Sequence, residues 1–171
     1  MYERMTLREF QQDLSRRLAI AARSHGENTS VLAVQSGGET WFLSLADAGE
    51  VLTVPKLTPA PLIKPWYAGL ANVRGSLYGV VDFGAFRGAP AVRIGSANRL
   101  LLCGQRHGIN AGLLVDRVVG LRDGRELKTV QGDAIAQPWQ KSVKQDEEGQ
   151  LCWELDAAAL MKSADFMNIG I

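Results

Sequence analysis

GLANVRGSLYGVVDF, residues 69–83, is almost wholly apolar or glycine, yet it carries Arg74 between Val73 and Gly75. Asn72, Arg74 and Gly75 stand where one apolar run ends and the next begins. Gly75 tolerates positive φ and close backbone approach, as a turn at this point requires. An arginine buried without a partner is strongly unfavourable. Arg74 therefore either has a specific internal partner or projects from a strand end into a groove or interface, where its planar fork is favoured. The residues themselves leave both readings open.

Working outward, the chain keeps the grammar of short strands joined by glycine turns. VLAVQ (31–35) and TWFLSL (40–45) flank Ser-Gly-Gly-Glu, which predicts a hairpin. Residues 105–108 separate RLLLCG from INAGLLVDRVVGL, Asp123-Gly124 separates that run from RELKTV, and Glu148-Gly149 precedes QLCWEL. Many short strands with such turns point to a sandwich or barrel. Four prolines between Pro55 and Pro65 make an extended connector, and PWYAG (65–69) predicts one helical turn closed by Gly69.

Helices are expected only at the two ends. Thr6 and Glu9 fit a capping box, and Leu7, Phe10, Leu14, Leu18 and Ala21 recur at helical spacing, with Arg16, Arg17 and Arg23 mostly off that stripe. Gly26 is a fitting stop. Asp156 is a suitable N-cap for a last helix through AAALMK.

The chemistry-bearing residues do not gather. The chain has 171 residues, 46% hydrophobic and 22% charged, with a formal net charge of +1, which argues against a general binder of nucleic acid or membrane surface. His25 and His107 each stand beside a glycine and have no second ligand at metal spacing. Cys103 and Cys152 lie in apolar runs and read as buried free thiols. There is no nucleophile elbow, phosphate-binding loop or dinucleotide fingerprint. Asp82 and Asp116 each follow an apolar run, where aspartates ordinarily satisfy turn backbone rather than form a catalytic pair. No secretory leader and no long apolar run are visible, so a cytoplasmic protein is expected.

A glycine, an Asn-apolar-Arg-Gly turn and an apolar strand ending in Asp and an apolar residue together resemble the signature of CheW-like domains. The approach VLTVPKLTPAPLIKPWYAG (51–69) is also similar to that family, as are GLLVDRVVGL (112–121) and LCWELDAAALM (151–161). The resemblance covers about residues 30–163, in three blocks in the right order.

The resemblance implies a mainly β fold: two five-stranded SH3-like barrels packed side by side over residues 29–171, with an extra N-terminal helix over residues 1–28 and a short C-terminal helix. It implies a non-enzymatic adaptor, with no cofactor or metal. The partners would be the cytoplasmic tip of a methyl-accepting chemoreceptor and the regulatory domain of a CheA-type histidine kinase, without nucleic-acid binding or membrane insertion. Receptor arrays would be reached through these partners. Asn72, Arg74 and Gly75 would lie at the working surface, and Val115, Asp116 and Val118 would carry the second barrel's part. Leu43, Leu45, Glu50 and Val51 would belong to the strand pair that meets the kinase.

Gly79 stands where many members carry proline, and Ala48 where a larger aliphatic is common; both would remove bulk from a contact edge. The N-terminal helix is also extra. With it, the chain most resembles the adaptors of type IV pilus (twitching motility) chemosensory systems; a flagellar adaptor is the nearest alternative. A phosphotransfer component lacks its histidine or acidic pocket. An RNA-binding small barrel would need exposed stacking aromatics, whereas Trp41, Trp139 and Trp153 lie in or beside apolar runs.

Overall fold

A computed structural model describes residues 29–103, 107–131 and 135–171, so the helix expected over residues 1–28 lies outside the described residues. The chain begins with β1 (Ser30–Ser36) and β2 (Glu39–Ser44), a one-turn helix α1 (Leu45–Ala48), and the short strands β3 (Glu50–Thr53) and β4 (Leu57–Thr58). The hairpin β5 (Tyr67–Val73) and β6 (Ser76–Asp82) follows, then α2 (Phe83–Phe86) and the pair β7 (Arg99–Leu102) and β8 (Ala111–Val115). β9 (Arg117–Asp123), β10 (Lys128–Thr129), β11 (Gln140–Gln145) and β12 (Leu151–Leu155) complete the strands, and α3 (Ala157–Lys162) and α4 (Ala164–Met167) close the chain.

These strands form two six-stranded sheets that share a central four-strand pattern. One runs β10-β11-β12-β2-β1-β9, the other β3-β7-β8-β6-β5-β4. In each, a hairpin (β1–β2 or β5–β6) joins a second antiparallel pair through one parallel contact, β12 to β2 and β8 to β6. The sixth strand in each sheet is a two-residue piece, β10 or β4, beyond the five strands expected per barrel. A one-turn helix follows each hairpin, capped by Ser44 in the first case and Asp82 in the second.

The two sheets are not successive halves of the sequence. Strands β1 and β2 belong with β9 to β12, and residues 50–115 build the other sheet. INAGLLVDRVVGL, read as one run, breaks at Asp116: Val115 ends β8 in one sheet and Val118 lies on β9 in the other. Asp116 is the joint. Its N–H donates to the Gln35 carbonyl at 2.9 Å and its carboxylate accepts the Gly37 N–H at 2.9 Å. Its own carbonyl accepts the buried Asn98 amide at 3.2 Å.

Two local expectations change. Asp123-Gly124 opens a 3-10 turn (Gly124–Glu126) rather than a hairpin, because β9 pairs with β1 and the short β10 pairs with β11. PWYAG forms a β-turn closed by the Tyr67 N–H on the Lys64 carbonyl at 3.0 Å, and β5 begins at once. The hairpin at Gly37-Gly38, the turn at Gly149 and the helix capped by Asp156 form where the sequence places them.

Three apolar clusters result. The largest lies between the sheets: Leu32, Trp41 and Leu43 from one, Val81, Leu113 and Val115 from the other, closed by Leu160 and Phe166 of the C-terminal helices. Ala71, Tyr78, Val80, Leu100, Leu102 and Leu114 fill the far side of the second sheet. Among the described residues, the far side of the first sheet buries Ala33, Phe42 and Cys152, with Val31, Val119 and Leu127 packed against them.

Candidate partner-docking site

The β5–β6 hairpin turns through two residues, with Val73 opposite Ser76. Arg74 has φ +50 and Gly75 φ +85, the doubly left-handed turn that matches strand twist. Asn72 secures it, its side-chain oxygen accepting the Gly75 N–H at 2.9 Å. Gly75 suits this geometry; for arginine the left-handed conformation costs about 1 kcal/mol. Arg74 nevertheless occupies it, and its side chain is 69% exposed. Nη2 pairs with the carboxylate of Glu50 at the start of β3. The charge between two apolar strands is thus not buried, because the turn lifts it off the sheet.

An exposed pair of this kind contributes about 0–1 kcal/mol at most, so stability alone does not account for a strained arginine here. Its surroundings suit docking. Leu77, on the returning strand, and Val51, next to Glu50, are both exposed apolar residues. β3 is the edge strand of its sheet among the described residues. Leu45 is also exposed, at the start of α1.

The remaining expected contact residues do not join this surface. Leu43 and Val115 are fully buried in the inter-sheet core, so neither side chain reaches a partner. The Asp116 carboxylate is occupied by the β1–β2 turn, and Val118 packs against the same core. The family resemblance places these four at a contact surface, but they lie in or beside the core between the sheets. Ala48 is also in that core, not at a contact edge. Gly79 sits in β6 between β5 and β8, donating its N–H to the Asn110 carbonyl at 3.0 Å. A Cβ there would lie 2.7 Å from the Tyr67 hydroxyl, so the ring of Tyr67 takes the space a side chain would need.

Sequence reading passed over a second feature, the Arg87 cluster. Its guanidinium carbon lies 4.7 Å from the ring centroids of both Trp41 and Phe83. Nη2 donates to the Ser36 carbonyl at 2.5 Å and Nη1 pairs with Glu39. Burial lowers the Arg87 pKa, opposed by the Glu39 carboxylate. Beside it, Trp66, Phe86 and Trp139 line a cavity of about 480 Å³ together with Lys64, Gln140 and Asp165. The only sequence signal was an arginine four residues beyond Phe83, after an aspartate-capped turn.

The remaining polar groups serve the fold. Asp82 accepts the Ala85 N–H at 3.0 Å and the Val92 N–H at 2.7 Å, as expected of a strand-end aspartate. Burial pushes the Cys103 thiol up to about 12 and the Cys152 thiol to about 11, which disfavours the nucleophilic thiolate at neutral pH. His107 lies 3.8 Å from the Asp47 carboxylate; His25 is outside the described residues. Trp41 and Trp139 are buried, and Trp153 stacks on Trp41 at 6.0 Å between ring centroids. These three rings therefore pack into the core instead of forming a base-stacking platform.

Residues 13–165 match the family model described as CheW-like domain. Among curated proteins the chain is similar to Protein PilI of Pseudomonas aeruginosa, with 33% identity over 110 residues, 63% of this chain and 61% of that protein. The match thus spans less than two thirds of the relative's length. Among solved structures the chain is similar to the scaffolding protein TtCheW from Thermoanaerobacter tengcongensis, with a TM-score of 0.67 and 18% identity over 82% of this chain and 92% of that one. The likeness is one of fold, two SH3-like barrels side by side, and it agrees with the repeated four-strand pattern.

Proposed function

The chain belongs to the CheW-like domain family, and on that premise we propose that it is a non-enzymatic adaptor coupling a methyl-accepting chemoreceptor to a CheA-type histidine kinase. The similarity to PilI favours a type IV pilus chemosensory system over a flagellar one. The observation that carries the reading is the Arg74–Glu50 pair, a left-handed arginine held out at a hairpin tip beside exposed Val51 and Leu77. An exposed arginine suits an interface, where its fork makes several directed bonds and its stem covers apolar surface. Glu50, Val51, Asn72, Arg74 and Gly75 form this surface, and Leu45 extends it across α1. No helix among the described residues is long and apolar enough to cross a membrane.

The test is a calorimetric titration against the regulatory domain of a chemosensory CheA-type kinase, with wild type and Arg74→Ala, each checked by circular dichroism. Binding by wild type that the folded variant loses supports the reading. Binding unaffected by the substitution moves Arg74 out of the kinase interface. Absence of binding to both the kinase domain and a receptor tip sinks the adaptor assignment.

A further inference from the structure

A second site lies at the base of the β5–β6 hairpin, at the end opposite Arg74. The Asp82 N–H donates to the Trp66 carbonyl at 2.9 Å and closes that base. Beside it is the cavity of about 480 Å³ lined by Trp66, Phe86 and Trp139. Its volume is that of a small-molecule cleft. The aromatic wall is continuous. Phe86 packs edge-on against Trp66 at 5.1 Å between ring centroids and tilts against Trp139 at 5.9 Å.

Four charged side chains line the same cavity. Arg87 and Glu39 pair with each other, so their charges cancel. Lys64 and Asp165 stay apart: among the described residues, neither side chain has an ion-pair or hydrogen-bond partner. The Lys64 ammonium stands 5.8 Å from the centroid of the Trp66 ring. Asp165 is exposed in the first turn of α4. The backbone holds both residues in place. The Lys64 N–H donates to the Ile169 carbonyl at 2.8 Å, and Phe166, next to Asp165, is buried in the inter-sheet core. One free cation and one free anion thus share a cleft with an aromatic wall.

We propose that this cavity binds an α-amino acid with an aromatic side chain. The ligand's carboxylate faces Lys64 and its ammonium faces Asp165, each in a charge-assisted hydrogen bond. Its ring packs on Trp66 and Phe86 in the offset or edge-on geometry that aromatic pairs favour. An aromatic acid lacking the ammonium brings a like charge to Asp165, and an aromatic amine lacking the carboxylate brings one to Lys64. Lys64 belongs to the connector before β5 and Asp165 to α4, so the ligand ties the C-terminal segment to the second sheet. The Arg74–Glu50 surface stays free.

The full chain, isotope-labelled, is titrated with L-phenylalanine while the indole N–H resonances of its four tryptophans are followed. Saturable shifts, largest at Trp66 and Trp139, are expected. Phenethylamine, without the carboxylate, and phenylpropionate, without the ammonium, should each bind at least about tenfold more weakly. Lys64→Met should weaken L-phenylalanine to the same degree without weakening phenethylamine. Asp165→Asn should do so without weakening phenylpropionate. Unchanged amide shifts of the β-strands show that both variants keep the fold. Absence of saturable shifts at millimolar ligand overturns the proposal, as do shifts largest away from Trp66. Equal affinity for the three compounds also overturns it, because the aromatic wall then acts without the charges. So does L-phenylalanine affinity that survives both substitutions.

Discussion

The guanidinium of Arg87 lies 4.7 Å from the centre of the Trp41 indole, and this contact links the two sheets. Arg87 follows α2 at the end of the second sheet's hairpin, whereas Trp41 stands on β2 in the first sheet. The same side chain reaches the Ser36 carbonyl and Glu39. Arg87→Ala removes the packing and leaves these acceptors unpaired, so a loss of about 2–3 kcal/mol is expected in urea unfolding. Arg87→Lys should recover little of it, since an ammonium cannot stack between two rings and span both acceptors. Full recovery by lysine would show that charge alone matters here.

Arg74→Asn separates strain from function. Asparagine accepts the left-handed conformation more readily than arginine, which offsets the lost surface pair with Glu50. Thermal melting should place the variant within about 1 kcal/mol of wild type. Affinity for the kinase regulatory domain should fall by about 2 kcal/mol, roughly thirtyfold. A melting loss as large as the affinity loss would make Arg74 an internal clamp.

Gly79→Ala puts a Cβ against the Tyr67 ring, whose hydroxyl is the nearest atom at 2.7 Å. Crowding of this kind is expected to destabilise by about 1–2 kcal/mol. Tyr67→Phe removes the nearest atom, so the double variant should be more stable than the sum of the two single changes predicts. Strict additivity in the cycle would mean that the ring simply moves aside. Gly79→Pro should be worse than Gly79→Ala, because the Asn110 carbonyl also loses its donor.

Leu113→Asp tests the core shared by the sheets. Leu113 lies on β8, which pairs with β6 on one side and β7 on the other, and it is buried between the sheets. A charge there has no partner, so a loss above about 4 kcal/mol and failure to melt cooperatively are expected. Near-normal melting would show that β8 faces the other way.

Glu154 gives the fold a pH dependence. Burial alone raises its pKa, but the Ser142 hydroxyl at 2.6 Å and the Lys141 ammonium at 3.2 Å outweigh that and hold the carboxyl below its usual range. The unfolded chain therefore takes up the proton first as pH falls. This contribution to stability is full above the unfolded pKa of about 4.3 and is lost as pH drops through the folded value. The solvent exposure of its partner Lys141 limits it to about 1 kcal/mol. Comparing urea midpoints at neutral and acid pH, Glu154→Gln should lose less stability on acidification than wild type; equal losses would assign the acid sensitivity elsewhere.

The sequence by itself determined what depends on neighbours a few residues away. The Gly37-Gly38 turn, the turn at Gly75, the strand-end role of Asp82 and the cap at Asp156 are local, and each formed as read. Residues 69–83 likewise marked the family before any fold was known. Only the tertiary structure decided which strands share a sheet, because β1 meets β9 and Gly37 meets Asp116 across 79 residues of chain. That pairing buries Leu43 and Val115 and makes Asp116 the joint between β8 and β9. It also brings Glu50 to Arg74 across 24 residues. A strand's alternation shows that two faces differ. Which face is buried, and whether a turn charge meets water or core, depends on the layer that packs against it, and here those layers come from distant parts of the chain.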